Sequence, residues 1–496
     1  MNHLEFDVAV LGSGFAGSLA AWILAKQGRS VVLIEHGKHP RFAIGESSTP
    51  LADFKLRQIA ERYNLPELEA FTQYGSWKRT HPEITCGVKR GFAYFYHQQD
   101  HAFEVDEHHS HELLVTANSS QEVSDTHWLR SDVDSYFVEQ AIECGVHYWD
   151  ETAINSLSAG PPHQIRVERC GEASTLHARF LIVATGSPRL WNDSFIPIAS
   201  TGILPRTNTR SVFAHFEGVV PWEEWMRQQG MSVSEHPFPC DQSALHHVFD
   251  GGWMWQLRFD DETTSVGFSI DRNRHPHNSS LTADAQFQRW LGRIPDVAKQ
   301  FSNAKIVRPE TGMQYIERLQ HELRHATGDH VALLPAAVGF ADPLFSTGIA
   351  HALFSVDQIV DVVQDLDQPS RLSERLKEYD ERMRREIDLI DRLVSLAYRA
   401  TGNFQKFVAS TMSYFAAATV CEQTATQAET MSASPAFLLA DNINFLTAID
   451  RIEQAFAEAD GDSFESLAAE ALRPFNHVGL FTPETPRMYR YTAAEK

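Results

Sequence analysis

The sequence predicts an α/β protein: a doubly wound nucleotide-binding domain with an inserted antiparallel sheet and a C-terminal helical region. Three observations carry this prediction. A strand, a glycine turn, a helix and a second strand follow one another between Phe6 and Glu35. Aromatic and β-branched segments, separated by turn residues, occupy the middle of the chain. After Ser370 apolar residues recur at spacings of three or four.

The first unit runs from the apolar strand at Phe6 to Leu11, through Gly12-Ser13-Gly14-Phe15-Ala16-Gly17, into a helix from Ser18 to Lys26 that Gly28 stops. Ser30 to Ile34 is the second strand, closed by Glu35. Two later apolar strands, Phe180 to Gly186 and His330 to Pro335, complete a parallel sheet with the first, so this domain is discontinuous in sequence. Gly91 to His97, Ser211 to Phe216, Trp253 to Phe259 and Thr264 to Ile270 read as the antiparallel insert. Residues 98 to 124 are polar, acidic and His-rich and read as an exposed loop. Leu372, Leu376, Tyr379, Met383, Ile387, Ile390 and Val394 share one face of a long helix ending near Gly402. Residues 404 to 475 read as further helices, and the tail with Pro483 and Pro486 as irregular.

Composition narrows the function. The 496 residues hold 43 Lys and Arg against 65 Asp and Glu, a formal charge of −22. Such a balance argues against nucleic acid or an anionic membrane as the main partner, because phosphates call for clustered Lys and Arg. Five scattered cysteines without a CxxC pair form neither a disulfide framework nor a zinc site and fit a reducing cytoplasm. Phe6 to Ala25 is apolar but lacks a basic leader and is broken by Asp7 and glycines, so it reads as neither a signal peptide nor a membrane span.

Gly12-x-Gly14-x-x-Gly17 followed by Glu35 is the strongest chemical signal. The glycines permit a tight turn and close backbone approach to a pyrophosphate, which the helix N-terminus attracts. Glu35, closing the next strand, is placed for ribose hydroxyls. FAD and NAD both satisfy this motif.

The following segment, His39-Pro40-Arg41-Phe42-Ala43-Ile44-Gly45-Glu46-Ser47-Ser48-Thr49-Pro50, resembles the flavin-dependent halogenases. The resemblance continues at Cys86-Gly87-Val88-Lys89-Arg90-Gly91-Phe92 and from Leu334 to Gly348, and spans roughly residues 5 to 365. The pattern is most similar to the branch acting on phenols and pyrroles. It implies a glutathione-reductase-like FAD domain from 1–85, 125–195 and 325–365, a substrate-side sheet from 86–124 and 196–324, and a helical region from 366–496. FAD contacts are implied at Gly12, Gly14, Ala16, Gly17, Glu35, Ser47, Arg130 and Asp342. Lys89 matches the lysine that receives hypohalous acid and aims it at the arene; desolvation in a tunnel would depress its pKa. Ser346, Thr347 and Gly348 match the backbone that holds halide beside the flavin. Trp253 and Trp255 match half of a Trp-x-Trp-x-Ile-Pro signature, with Leu257-Arg258 in place of Ile-Pro. Phe345 stands where tryptophan-type members have Glu, which counts against tryptophan as substrate.

Each assignment has a plainer alternative. Lys89 alone reads as a surface lysine. Ser346 to Gly348 reads equally as an ordinary helix cap. The tryptophans, on one strand face, read as a core pair. The Arg…Asp element in Trp128-Leu129-Arg130-Ser131-Asp132-Val133-Asp134 reads equally as a helix-start charge pair, and Asp342 as a cap before Pro343. His101, His108, His109, His111 and His246-His247 show no ligand spacing, so no metal is expected.

The leading expectation is a two-component halogenase. Its needs are FAD reduced by a separate flavin reductase, O2, chloride or bromide, and a small electron-rich aromatic substrate; a homodimer is open. The alternative is an FAD-dependent aromatic monooxygenase. Single-component members of that class carry an Asp-Gly motif, and Ala184-Thr185-Gly186-Ser187-Pro188-Arg189 lacks the Asp. A non-catalytic flavin-binding protein is a third reading, resting on Leu257-Arg258.

Overall fold

Apolar β-branched runs with no polar alternation need cover on both faces, and the first sheet has it. The computed structural model describes residues 3–99, 101–158, 160–186, 205–276, 281–427 and 436–490. Among these, an eight-stranded sheet runs in the order Thr327–Gly328, Val331–Leu333, Glu172–Val183, His3–Leu11, Val31–Ile34 and His147–Trp149, with Thr152–Ser158 and His163–Arg169 folded off it. The four strands from Val331–Leu333 to Val31–Ile34 are mutually parallel, with Val8 opposite Phe180 and Val31. Val8 to Leu11 are wholly buried. The helices Phe15–Lys26 and Gly348–Gln364 pack together beside this sheet. This is the doubly wound domain the sequence predicts. The boundary drawn at 195 and the residues Ser187 to Arg189 lie outside the described residues.

The second sheet has nine strands among the described residues. Its main path is Lys305–Arg308, Thr209–Glu217, Thr264–Asp271, Gly252–Arg258, Ala244–Phe249, Gly91–His97, Glu112–Thr116 and Met488–Tyr489. Three features differ from the expectation. The sheet is mixed, because Ala244–Phe249 runs parallel to Gly91–His97 and Met488–Tyr489 parallel to Glu112–Thr116. The segment read as an exposed loop holds the fully buried strand Glu112–Thr116. The tail read as irregular returns to pair with Leu114 and Val115.

The reason is that both faces of this sheet are covered. Phe92, Tyr94, Trp253 and Trp255 face the main core, whereas Ala93, Phe95, Met254 and Phe268 face a second one. With no solvent side, a strand such as Ala244–Phe249 shows no apolar–polar alternation to read. The C-terminal helices Pro369–Ala400 and Phe404–Gln427 pack against each other. Phe407, Tyr414 and Phe415 of the latter lie on the inner aromatics Phe92 and Tyr94.

Candidate active site

The glycine turn is built as its spacing requires. Gly12 has φ +102°, a backbone region L side chains avoid. A Cβ on Gly17 would lie 2.1 Å from the Gly12 carbonyl oxygen, so the helix can start this close only with glycine there. Glu35 Oε2 accepts from the Ser13 N–H at 3.0 Å and its hydroxyl at 2.9 Å, and lies 3.5 Å from Arg41. Burial raises the Glu35 carboxyl, but Arg41 and these donors outweigh it and hold the group below its ordinary value.

Arg130 opens the helix Arg130–Glu143 and is clamped by Asp134 at 2.9 and 3.0 Å. It also donates to the Ile44 and Gly45 carbonyls, tying the helix to the segment after Arg41. A Cβ on Gly14 would lie 3.5 Å from an Arg130 nitrogen and 3.7 Å from one of Arg41. Two guanidinium groups thus flank a bare-backbone turn at a helix N-terminus. That cradle fits the pyrophosphate of a dinucleotide such as FAD. Ala16 is half-buried in the same turn, and the Ser47 hydroxyl is buried without a protein partner among the described residues.

Lys89 ends the short strand Cys86–Lys89, which pairs with Asp125–Trp128, and Arg90 separates it from the strand Gly91–His97. It is not a surface residue: its exposure is 0%. Its Nζ donates to the Ser48 carbonyl and sits 4.1 Å from the centre of the Phe92 ring. Nearby His127 and His246 are buried, and burial with the Lys89 charge as a further cause brings both down to about 3, so they stay neutral beside it. Phe92, Pro50, Val115, Ala117, Tyr414 and Phe415 line a narrow cleft here.

A chain of aromatic contacts runs from Phe92, beneath Lys89, to Phe345, which precedes the Ser346–Gly348 turn. Phe345 stacks on Tyr414 at 4.7 Å, and Tyr414 meets the edge of Phe92 at 6.0 Å. Ser346 is left-handed at φ +51°, and the helix Gly348–Gln364 starts with no side-chain cap from Thr347. A Cβ on Gly348 would meet nothing within 4 Å. The helix N-terminus therefore faces open space, where its free N–H groups favour an anion.

Asp342 is a cap: its Oδ1 accepts from the Leu344 N–H at 3.2 Å. Its Oδ2 lies within 3.1 Å of the hydroxyls of Thr209, Ser269 and Tyr398. Burial raises this carboxyl to about 6, although those donors pull the other way. The network joins the tryptophans, because Trp253 Nε1 donates to Tyr398 at 2.7 Å. Trp255 donates to Ser265 at 3.2 Å, and the two indoles are 5.8 Å apart. Arg258, which replaces the motif's Pro, is held by Asp241 at 3.2 Å and the Val219 carbonyl at 2.6 Å.

Sequence reasoning missed His127, His215, His246, Tyr398 and Tyr414. His215 approaches Glu46 to 2.8 Å, both almost wholly buried. The one available signal was a polar residue set inside an apolar run, as His246 is. His101 and His108 are exposed, but His109 is buried against Glu112 at 2.7 Å, unlike the solvated loop expected there.

Fold and cradle together define a dinucleotide-binding protein, and the comparisons make it an FAD-dependent oxidoreductase. The FAD dependent oxidoreductase family matches residues 7–199 and the tryptophan halogenase family residues 216–428. Monodechloroaminopyrrolnitrin halogenase PrnC of Pseudomonas fluorescens is 31% identical over 417 residues, covering 82% of this chain and 69% of that protein. Tetracycline 7-halogenase of Kitasatospora aureofaciens is 28% identical over 358 residues, covering 70% and 61%. Among solved structures, halogenase PltM superposes with a TM-score of 0.86 at 22% identity, covering 99% of this chain and 100% of that one. The chain belongs to the flavin-dependent halogenase family, and FAD is its cofactor. Among the described residues no helix is long and apolar enough to cross a membrane.

Proposed function

We propose that the protein is a two-component halogenase acting on a small electron-rich, phenolic arene with chloride or bromide, and that Lys89 relays hypohalous acid. The observation that carries the reading is the wholly buried Lys89, whose Nζ sits over the ring of Phe92, a residue that also lines the adjacent narrow cleft. FAD, reduced by a separate reductase, supplies with O2 the oxidising power that converts halide to hypohalous acid.

The cradle of Gly12, Gly14, Ala16 and Gly17 with Arg130, Glu35 and Ser47 is assigned to the dinucleotide. The open turn at Ser346, Thr347 and Gly348 is assigned to halide, gathered by helix N–H groups inside an acidic protein. Lys89 is assigned to hold the hypohalous acid by hydrogen bonding, with buried neutral His127 and His246 beside it. The arene gains a carbon–halogen bond and loses its ring proton, with water as the other product. Trp253, Trp255 and Asp342 are assigned to walls and support of the flavin side. Phe345 stacks on Tyr414, so an apolar contact, and not a carboxylate, precedes the turn assigned to halide. A solved PltM complex holds phloroglucinol and FAD, a phenol in a protein of the same fold.

The test supplies FAD, a flavin reductase, NADH, O2 and bromide or chloride, with a panel of phenols, pyrroles and indoles read by mass spectrometry. Halogen isotope patterns on phenols are expected. A Lys89→Ala variant that halogenates as fast as the parent, or NADPH oxidation by the protein alone, would overturn the scheme.

A further inference from the structure

The outer face of the nine-stranded sheet carries a second cluster of chemical groups, away from the inner aromatics. Glu223 lies in the first turn of the helix Trp222–Gln228. His236 and Cys240 follow in the excursion that leads into the strand Ala244–Phe249. A carboxylate oxygen of Glu223, a ring nitrogen of His236 and the Cys240 sulphur all lie within 4.8 Å of one another. The His236 side chain is 2% exposed and Cys240 is wholly buried.

His236 supplies an independent sign of a missing ligand. Its Nε2 is engaged by Glu112 at 3.1 Å. Its Nδ1 is buried and has no hydrogen-bond partner among the described residues. With the proton directed to Glu112, Nδ1 carries a lone pair, the form an imidazole needs to bind a metal. A carboxylate behind a ligating histidine is the arrangement that orients such ligands. Glu112 is itself fixed by His109 at 2.7 Å. The remaining neighbours are also accounted for. Glu223 accepts from the Cys240 N–H at 2.9 Å and pairs with Arg227 at 2.5 Å. The Cys240 sulphur lies 3.8 Å from Asp241, which Arg258 neutralises in part.

We infer that Glu223, His236 and Cys240 form a binding site for a divalent cation of the zinc class. Sulphur with imidazole selects such a metal over magnesium or calcium. Tetrahedral zinc separates its ligand atoms by about 3.5 Å, so the cluster needs to close by only about 1 Å. The two prolines in His236-Pro237-Phe238-Pro239-Cys240 stiffen the span between two of the ligands.

The role is structural. The metal ties the helix start, the excursion and the turn Cys240–Gln242 to one point. The Gln242 carbonyl accepts from the Arg90 N–H at 2.6 Å, and the Ser243 carbonyl meets His127 at 3.1 Å. The site therefore braces the turn directly behind Lys89.

Metal content of the purified full-length protein and cobalt loading after chelation test this. One zinc per chain, or one cobalt per chain with a thiolate-to-cobalt charge-transfer band, is expected. Cys240→Ser should lose the band and Cys421→Ser keep it. Glu112→Gln should weaken cobalt affinity by about tenfold or more. A parent protein with no stoichiometric metal and no cobalt band overturns the inference without recourse to any variant. So does a band that survives in Cys240→Ser.

Discussion

The glycine turn and the surroundings of Lys89 are made differently. The turn draws its three glycines from six consecutive residues, and the tightest contacts, at Gly12 and Gly17, are made within them or with Ala184 and Thr185 just after the neighbouring strand. The chamber takes Ser48, Lys89, Phe92, His127, His246 and Tyr414 from separate segments across 366 positions of chain. A local motif fails locally when altered. An assembled chamber distributes its roles, so one residue can be removed without disturbing the cofactor.

Lys89→Ala should break this comparison most sharply. Halogenation is expected to fall on the order of a hundredfold or more, with FAD affinity and reduced-flavin oxidation unchanged. Mass spectrometry and flavin absorbance separate the two. Gly17→Ala should do the reverse. Its Cβ would press on the Gly12 carbonyl oxygen, so FAD affinity should fall by about tenfold to a hundredfold and carry halogenation down with it. Titration of the apoprotein with FAD reads this directly.

Asp342 gives a pH test of the support beneath the chamber. Its carboxyl, at about 6 when folded against an ordinary 3.8, binds its proton more tightly in the folded chain. The resulting stability is full below about 4 and is lost as pH rises through about 6. Asp342→Asn should flatten that fall, by roughly 2–3 kcal/mol between pH 4 and 7.5, in urea unfolding followed across pH. Trp253→Phe is the smallest change. Losing its hydrogen bond to Tyr398 should cost about 1 kcal/mol and leave FAD affinity intact. A large loss of FAD affinity would show that this indole contributes to holding FAD and not only to lining its site.

The same contrast explains what could be read in advance. The parallel strands, the glycine turn and the long helix Pro369–Ala400 rest on neighbouring residues, whose periodicity or spacing is visible, whereas Lys89 stood out only through the family resemblance. The strands Glu112–Thr116 and Ala244–Phe249 were hidden because buried faces on both sides erase alternation, and polar His109 and His246 resemble loop residues until their partners are known. Tyr414 could not be placed near Lys89 by any pattern, since 325 residues of chain separate them.

By itself, then, the sequence determined the nucleotide-binding unit, the halogenase resemblance and the candidate lysine, because each depends on short-range sterics or a contiguous motif. Only the tertiary structure decided that Lys89 is buried over Phe92, that Asp342 serves as a cap in a hydroxyl network, and that Glu223, His236 and Cys240 meet. Those outcomes depend on long-range packing, where desolvation and distance between remote segments set the chemistry.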